Sequence, residues 1–294
     1  MQQITDKIRK EVQEALALYV RSYSTQRAAA ESLNDVSEAT LIQIKNGEWK
    51  KIGDNMWRNI AKQLGIGQRK LKVVETLDMQ TMFLIFDTAK EEGATFALVG
   101  GAGFGKSTGA KTYASLHRQN NAFYIECREY WNKKTFLSKV LQAMGRSDAG
   151  MNAVEMMEAI VREVRRMHQP VLLMDEVDKL PDPVLKFFIT FYNELNGMCG
   201  FVWLSTNNIE KRMARGLATN KNGYQELWSR IGSRFVKLNG ASNKEIELIC
   251  KENEITDPIE INTIINEANG DLRRVERNFL KNKLKSNRKN LKAA

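Results

Sequence analysis

A glycine-rich segment, GGAGFGKS at residues 100–107, constrains the fold of this chain more than any other feature. It fits the pattern G-x-x-x-x-G-K-[ST], in which a loop connects a strand to a helix. The required context is present, because the apolar run at 95–99 leads into the segment and helix-forming residues at 108–116 follow it. The backbone amides of such a loop and the positive end of the next helix bind phosphate oxygens. The competing interpretation is a glycine-rich turn with a chance lysine.

The phosphate-binding interpretation assigns roles to individual side chains of the segment. Lys106 is expected to reach the outer phosphates of ATP, and Ser107 is expected to ligate Mg²⁺. ATP and Mg²⁺ are therefore the predicted cofactors. The residues expected to contact the nucleotide are Gly100, Gly101, Ala102, Gly103, Phe104, Gly105, Lys106, Ser107 and Thr108.

A second motif, VLLMDEVDKL at 171–180, begins with four apolar residues and continues with Asp175 and Glu176. The apolar residues predict a buried strand, and ligands of open α/β sheets bind at the carboxyl ends of the strands. Asp175 is expected to contact the nucleotide by holding Mg²⁺ through water, and Glu176 to polarise the water that attacks the γ-phosphate. Many strands end in acidic residues, but this motif is informative because it lies about 70 residues after the glycine-rich segment.

Candidate strands alternate with candidate helices between residues 79 and 240, which is the signature of a parallel sheet. Residues from 242 onward are predicted to be helical. The strand candidates are 96–99, 122–126, 171–174, 201–205 and 235–238, and the helix candidates are 106–116, 134–144, 154–167 and 183–195.

Four polar residues further along the chain complete the candidate site. Asn207 follows the fourth strand, where its side chain would contact both the γ-phosphate and the attacking water. Arg230 and Arg234 are four residues apart and would share one face if this segment is helical. An arginine delivered into the site of a neighbouring subunit would neutralise charge in the transition state. Arg273 lies in the sequence GDLRR and is expected to open a helix of the last region.

The N-terminal residues 1–67 resemble the helix-turn-helix of repressor-like DNA-binding domains, with one helix predicted at 26–33 and a second from Ser37 to Lys45. In that fold the second helix lies in the major groove of DNA. A helical bundle that contacts proteins is the alternative. The side chains expected at DNA are Ser37, Thr40, Gln43 and Lys45, with Lys50 and Lys51 near the phosphates.

The charge of the chain favours a polyanionic partner. The formal net charge is +10, and residues 281–294 contain six basic residues and no acidic one. A basic tail attracts nucleic acids, although a solvated helix end has the same composition. No apolar run is long enough to span a bilayer, and the three cysteines are far apart and not in metal-ligand spacing. We therefore expect a cytoplasmic protein without a membrane partner.

The motifs above, in this order and spacing, resemble the Walker A, Walker B, sensor 1, arginine-finger and sensor 2 elements of AAA+ ATPases. The resemblance implies an α/β fold, an AAA+ P-loop parallel sheet with a helical lid, preceded here by a small all-α helix-turn-helix domain. It implies that Asn207 is sensor 1, that Arg234 is the arginine finger with Arg230 as second candidate, and that Arg273 is sensor 2. The expected boundaries are 1–67 for the helix-turn-helix domain, 68–78 for a linker, 79–240 for the ATPase core and 241–294 for the lid with its basic tail.

A repressor-like helix-turn-helix ahead of a compact AAA+ module is similar to the transposition ATPases of the phage Mu B family. The similarity implies a bacterial or phage-encoded ATPase that is stimulated by DNA and that forms ATP-dependent homo-oligomers or filaments on double-stranded DNA. It also implies selection of a transposition target and stimulation of a DDE transposase. Two other functions fit the same motifs: a replication initiator or helicase loader, and a helix-turn-helix transcription regulator that senses ATP.

Further DNA contacts are expected within the ATPase core, because in such assemblies the duplex threads a helix of subunits. Contacts of this kind would be independent of sequence and sensitive to salt. Ordinary surface side chains are an equally good interpretation of each candidate. The candidates follow the second and fourth strands and are Lys133, Lys134, Lys211, Arg212, Arg215 and Lys221.

Overall fold

The chain divides into two compact units in the computed structural model, which describes residues 4–21, 23, 25–66 and 72–281. The basic tail beyond Lys281 lies outside the described residues, as does part of the predicted linker. Unit 1 comprises Met1–Lys70 and Leu141–Gly150, and unit 2 comprises Leu71–Val140 and Met151–Ala294.

Unit 1 is built from short helices around one apolar core. The fully buried side chains of Leu16, Leu41, Ile44, Trp57 and Ile60 belong to this core. Burial of such apolar faces is what stabilises helices that are too short to persist alone. The elements are α1 (Asp6–Arg21), α2 (Gln26–Glu31), α3 (Glu38–Lys45), a 3-10 turn (Trp49–Lys51) and α4 (Asp54–Leu64).

Side-chain caps set the beginnings of α2 and α3. The hydroxyl oxygen of Thr25 accepts a hydrogen bond from the Ala28 amide at 3.1 Å, and the hydroxyl oxygen of Ser37 accepts one from the Thr40 amide at 3.1 Å. Such caps satisfy amides that have no partner within the helix. Between the two helices the chain turns through Asp35, whose φ is 57°. The predicted pair of short helices is present in the structure.

Unit 2 contains a five-stranded sheet in the order β2-β3-β4-β1-β5, with every neighbouring pair parallel. This confirms the predicted parallel α/β sheet. The register places Val99 opposite Ser205 and Asp175 opposite Leu204, so that the carboxyl ends of β1, β3 and β4 lie side by side. The strands are β1 (Thr95–Val99), β2 (Ala122–Glu126), β3 (Val171–Asp175), β4 (Gly200–Ser205) and β5 (Val236–Lys237).

Helices cover both faces of the sheet. Every residue of β3 and β4 is buried, as expected for central strands covered on two sides. None of the helices in the described residues is long and apolar enough to cross a membrane. The helices are α5 (Leu77–Glu92), α6 (Lys106–Leu116), α7 (Lys133–Ala143), α8 (Ala153–Val164), α9 (Asp182–Leu195), α10 (Asn208–Ala218), α11 (Tyr224–Arg230), α12 (Asn243–Glu252) and α13 (Pro258–Ala268), and residues 272–281 are also helical.

The two faces of the sheet have different cores. On one face α5 and α6 contribute Phe86 and Tyr113 to a cluster that includes Leu98 and Leu204. On the other face α9 places Phe188 against Trp203, with ring centroids 4.8 Å apart. The helix α5 begins before the expected start of the ATPase core and was not predicted from the sequence.

The last helices, α12, α13 and residues 272–281, form a separate small core, and we refer to them as the C-terminal helices. Ile246, Ile264 and Val275 are among its buried residues. The chain enters these helices through Asn239 and Gly240, whose amides both donate hydrogen bonds to the buried carboxylate of Asp78 on α5. The Asp78 carboxylate therefore connects the segment that leads into the C-terminal helices with α5, which packs on the sheet.

Candidate active site

The glycine-rich segment forms the tight loop between β1 and α6. Gly103 and Gly105 have φ of 82° and 81°, in the left-handed region that favours glycine. A Cβ atom at Gly101 would lie 2.8 Å from the ring of Phe104, so the absence of a side chain there lets the ring fold back onto the loop. The predicted strand–loop–helix context is present.

Lys106 is the first residue of α6, and its side chain lies over the loop. The residue is 9% exposed, and its ammonium donates hydrogen bonds to the carbonyl oxygens of Gly100 and Gly101, each at 2.8 Å. Burial lowers the pKa of Lys106, and the charge of Arg273 lowers it further, whereas the carboxylate of Asp175 opposes both effects. No carboxylate of the described residues forms an ion pair with Lys106, so its charge is available to phosphate oxygens.

Asp175 ends β3 and is 1% exposed. One of its carboxylate oxygens accepts the amide hydrogen of Glu176 at 2.9 Å, and the other accepts the hydroxyl hydrogen of Tyr124 at 2.8 Å. Burial, together with the negative charge of Asp175, raises the pKa of Tyr124, so the phenol remains a donor. A buried carboxylate that is oriented by two donors suits the ligation of a cation through water.

Glu176 follows β3 in a left-handed backbone conformation with φ of 57°. This conformation costs a non-glycine residue about 1–2 kcal/mol, and such strain is found mainly where function requires it. The Glu176 carboxylate pairs with Lys179 at 2.6 Å and lies 3.9 Å from the guanidinium of Arg128. Arg128 also pairs with Glu126 at 2.8 Å. Glu176 is therefore held by two cations beside Asp175.

The residues after β4 include one polar contact that the sequence did not indicate. Asn207 precedes α10 and is exposed, and the neighbouring Thr206 donates its hydroxyl hydrogen to the carboxylate of Asp178 at 2.8 Å. The sequence pattern indicated Asn207 and gave no role to Thr206. A strand that ends in Ser-Thr-Asn offers three polar groups, and only the register of the sheet decides which of them faces the acidic residues.

Arg230 and Arg234 do not share a helix face, because the segment between them is not helical. Helix α11 ends at Arg230, and the chain then turns through Gly232 and Ser233, both with positive φ. The guanidinium of Arg230 donates to the side-chain oxygen of Asn193 at 3.1 Å. Arg234 is exposed, and it has no hydrogen bond or ion pair with any other described residue. Of the two arginines, Arg234 is the one available to another molecule.

The C-terminal helices contact the glycine-rich loop directly. The amide of Leu272 donates a hydrogen bond to the carbonyl oxygen of Gly103 at 2.9 Å. Asp271 caps the helix that follows by accepting the amide hydrogen of Arg273 at 2.9 Å. Arg273 itself is exposed at the beginning of that helix, as predicted, and its charge acts on the pKa of Lys106. The sequence motif indicated Arg273 but gave no role to Asp271 or Leu272.

The remaining nucleotide-site candidates lie around the loop. Gly100 follows β1 directly, Ala102 is exposed, and Ser107 is half-buried as the second residue of α6. Thr108 is exposed on the next position of the helix. The structure thus brings the predicted loop residues, Asp175, Glu176 and Arg273 to one edge of unit 2.

This edge fits a Mg²⁺-bound nucleoside triphosphate. The loop offers backbone amides and the buried ammonium of Lys106 for phosphates. Mg²⁺ favours oxygen ligands, usually one or two from the protein beside water and phosphate. Ser107 would hold the ion directly and Asp175 through water. When bound, the ion would neutralise charge that develops on the phosphates during their transfer.

The DNA candidates of unit 1 lie on and around α3. Lys45 donates a hydrogen bond to the side-chain oxygen of Gln26 at 2.7 Å, and Lys51 pairs with Glu48 at 2.5 Å. Lys50 is exposed, and it has no ion pair within the described part of the chain. Ser37 and Thr40 are occupied by the cap of α3, and Gln43 is half-buried on its second turn.

The DNA candidates of unit 2 fall into two groups. Lys133, Lys134, Lys211 and Arg215 are exposed. Arg212 is instead engaged inside the unit, where its guanidinium pairs with Asp182 and donates to the carbonyl oxygen of Leu180 at 2.8 Å. Lys221 pairs with the same aspartate. The structure therefore corrects the expectation for Arg212, because its guanidinium is only partly exposed and is engaged by Asp182 and Leu180 within the unit.

Comparisons with known proteins place part of this chain in a broad class. Residues 90–213 match the family model described as the AAA domain. This segment begins within α5 and ends within α10, so it includes Lys106, Asp175 and Glu176 but neither Arg234 nor Arg273. No curated protein matches the sequence. Together with the sheet order, the match identifies the fold of unit 2 as the AAA+ P-loop α/β fold.

Several solved structures are similar in fold. The RuvB Holliday junction branch migration motor of Thermotoga maritima has 18% identity over 73% of this chain and 61% of that chain, with a TM-score of 0.42. NtrX from Brucella abortus in complex with ATP has 14% identity over 83% and 58%, with a TM-score of 0.46. Drosophila ORC bound to DNA has 12% identity over 71% and 56%, with a TM-score of 0.45. The chain spans less than two thirds of each of these proteins.

Proposed function

We propose that this protein is an ATPase that assembles on double-stranded DNA, with each ATP bound between two copies of the chain. The observation that carries the proposal is the contrast between Arg234 and the nucleotide site. Lys106, Asp175 and Glu176 lie together at one edge of unit 2, whereas Arg234 is exposed and has no partner within the described residues. An unpaired arginine on a tight turn suits the site of a neighbouring copy.

The residues of one copy carry out binding and proton transfer in this proposal. Lys106 exchanges its two carbonyl partners for phosphate oxygens when ATP enters the loop. Glu176 leaves Lys179 and accepts a proton from the water that attacks the γ-phosphate. Thr206 and Asn207 lie after the adjacent strand, where either side chain can hold that water. The bound triphosphate then joins Lys106 of one copy to Arg234 of the next.

ATP binding and assembly are linked in this scheme, because nucleotide that binds only at the interface stabilises the interface. A head-to-tail contact of this kind generates rings or open helical filaments. The basic character of the chain, with a net charge of +10, supports a DNA duplex as the surface for assembly. Unit 1 supplies a compact set of short helices with exposed lysines near α3 for the same duplex.

We further propose that the assembly selects target DNA for transposition and stimulates a DDE transposase. The support for this step is the combination of a small N-terminal helical unit with one AAA+ unit in 294 residues. Contacts to DNA would be largely independent of sequence, since target selection requires binding to many sites. Co-purification with a transposase, and stimulation of strand transfer by the ATP-bound protein, would be the direct tests of the partner.

Mixing of two inactive variants tests the shared nucleotide site. Arg234→Ala should lower ATP turnover on duplex DNA about 10³-fold or more, because an arginine supplied in trans contributes that much in related chemistry. Glu176→Gln should be equally inactive while still binding ATP. In a 1:1 mixture that assembles at random, about a quarter of head-to-tail interfaces combine an intact Glu176 with an intact Arg234. We expect turnover to recover towards that fraction.

The control for the mixture is Arg230→Ala, which removes a guanidinium that is already bonded to Asn193 within the same copy. Its effect on turnover should be smaller than that of Arg234→Ala. Recovery in the mixture is measured as phosphate release with saturating duplex. A mixture that stays as inactive as its two components would exclude Arg234 as a group that acts on a neighbouring copy.

A further inference from the structure

Tyr124 is the third residue of β2. Among the described residues, it is the only one whose side chain donates a hydrogen bond to the carboxylate of Asp175. The hydroxyl lies 2.8 Å from a carboxylate oxygen of Asp175. The tyrosine packs against the same core cluster as α5 and α6, on the face of the sheet that Leu173 and Leu204 also occupy. The two strands are neighbours, with Tyr124 opposite Leu173 and Glu126 opposite Asp175. The phenol therefore reaches along β3 to the acidic residue at its end.

The hydrogen bond fixes the orientation of a buried charge. Asp175 is almost fully buried, and the only other donor to its carboxylate among the described residues is the backbone amide of Glu176. The amide fixes one oxygen, and without a second donor the other oxygen would be free to change its position. With both donors in place, the remaining lone pairs of the carboxylate point in fixed directions.

A second contact holds the tyrosine ring itself. The ammonium of Lys111 on α6 lies 5.1 Å from the centre of the Tyr124 ring, within the range of cation–π attraction. The same ammonium pairs with Glu126 at 3.4 Å. Since α6 begins with Lys106 and Ser107, these contacts connect the helix that would hold the phosphates to the carboxylate of Asp175.

We propose that Tyr124 is a positioning residue for the divalent cation of the nucleotide site. Its hydroxyl orients Asp175 so that the carboxylate accepts hydrogen bonds from water molecules that ligate the cation. Partners of direct metal ligands commonly contribute 10- to 100-fold to metal affinity. Tyr124 acts through Asp175 and water, one step further from the ion, so we expect an effect at the lower end of this range. This inference rests on the proposed function only in taking the ligand of the site to be a Mg²⁺-bound nucleoside triphosphate.

The chain provides a matched control for removal of the Tyr124 hydroxyl. Tyr113 on α6 is a buried tyrosine of the core cluster against which the partly buried Tyr124 packs, and its hydroxyl donates a hydrogen bond to the carboxylate of Asp87 on α5. Neither Tyr113 nor Asp87 belongs to the candidate active site. Tyr113→Phe and Tyr124→Phe therefore remove the same chemical group from the same core, and only Tyr124→Phe frees Asp175.

The experiment measures binding of a fluorescent ATP analogue to the full chain during a Mg²⁺ titration, with a parallel series in EDTA. Tyr124→Phe should raise the Mg²⁺ concentration at half-maximal binding about 10-fold. In EDTA the variant should bind the analogue as the wild type does, because Tyr124 acts through the cation. Tyr113→Phe should match the wild type in both series.

An unchanged Mg²⁺ midpoint for Tyr124→Phe would overturn the inference and leave the proposed function intact. Equal loss of binding with Mg²⁺ and in EDTA would also overturn it, since that result indicates a general defect in the core. An equal shift of the Mg²⁺ midpoint in Tyr113→Phe would overturn the inference for the same reason. A wild-type protein that binds no ATP analogue at any Mg²⁺ concentration would instead contradict the proposed function.

Discussion

Among single residues, Gly103 has two separate reasons to be glycine. Its φ of 82° lies in the left-handed region, and a Cβ atom at this position would overlap the carboxylate of Asp271. The first reason is local to the loop. The second exists only because the C-terminal helices pack onto the loop, with Leu272 bonded to the Gly103 carbonyl.

Gly103→Ala should therefore abolish ATP binding. The left-handed conformation alone costs an alanine about 1 kcal/mol, and the overlap with Asp271 requires the loop or the C-terminal helices to move. Gly197→Ala is the control, because Gly197 has a φ of 72° but a Cβ atom added there would meet nothing within 4 Å. Isothermal titration calorimetry with ATP and thermal unfolding of both variants test this.

If Gly103→Ala kept the wild-type affinity for ATP, the contact with Asp271 would have no bearing on the loop. If Gly197→Ala lost as much affinity for ATP as Gly103→Ala, the cause would be general destabilisation of the fold. We expect both variants to unfold at a lower temperature than the wild type, and only Gly103→Ala to lose the nucleotide.

Among the elements, a cluster around Asp182 holds three helices of unit 2 together. Asp182 begins α9, Arg212 lies on α10 and Tyr224 begins α11. The Asp182 carboxylate accepts hydrogen bonds from the side chains of Arg212, Tyr224 and Lys221. Burial alone would raise the pKa of Asp182, but the hydrogen bonds from Lys221, Arg212 and Tyr224 outweigh it and lower the pKa. The ionised carboxylate therefore stabilises the fold.

Asp182→Asn should lower the free energy of unfolding by about 2 kcal/mol at neutral pH, since charge-assisted hydrogen bonds are lost. The folded-state pKa lies below the unfolded value of about 4, so this stability is fully present above pH 4. It is lost as the pH falls through the lower, folded-state pKa. Melting temperatures of wild type and variant should thus differ by a constant amount from pH 5 to 8 and converge in more acidic solution.

Lys221→Gln is the control for that series, because its ammonium is half-exposed and solvent screens the ion pair, so its loss should matter less than the loss of the Asp182 charge. A difference between Asp182→Asn and wild type that stayed constant down to pH 3 would show that the ionised form of Asp182 is not what stabilises the cluster.

The sequence predicted those elements that local patterns specify. Helix α6 and strand β2 have the predicted bounds, because glycines and apolar runs mark them within a few residues. Helix α5 was missed because its apolar residues surround most of its circumference, so no stripe distinguishes it. The condition for Arg230 and Arg234 to share a helix face is not met, because α11 ends at Arg230 and the chain turns at Gly232 and Ser233.

The residues of the candidate site likewise fall into those that sequence motifs indicate and those that depend on tertiary contacts. Lys106, Asp175 and Glu176 follow from motifs that are contiguous in the sequence. Tyr124 and Asp271 could not be predicted, because their contacts depend on the pairing of β2 with β3 and on the packing of the C-terminal helices. No local pattern distinguishes Tyr124 from any other aromatic residue in a strand.

For the whole molecule, the proposed DNA contacts predict a dependence on salt. Lys50→Gln, at an exposed position in unit 1, should weaken binding to duplexes of unrelated sequence by similar factors. It should also reduce the slope of log affinity against log salt by about 1, the value for one lost phosphate contact. Fluorescence anisotropy at several salt concentrations measures both quantities.

Lys62→Gln is the matched control, since Lys62 is an exposed lysine of α4 in the same unit. It should leave the slope unchanged. Equal slopes for wild type and Lys50→Gln would remove Lys50 from the DNA interface, and a change confined to one DNA sequence would indicate contact with bases rather than with phosphates.

The hydrogen bond between the Leu272 amide and the Gly103 carbonyl joins the loop to the C-terminal helices. In the proposed ATPase cycle, any separation of the loop from these helices would have to break this bond. Such a separation is slow compared with a side-chain rotation. We expect the rate of this step to set how long an ADP-bound copy stays in the assembly before it can bind a new ATP.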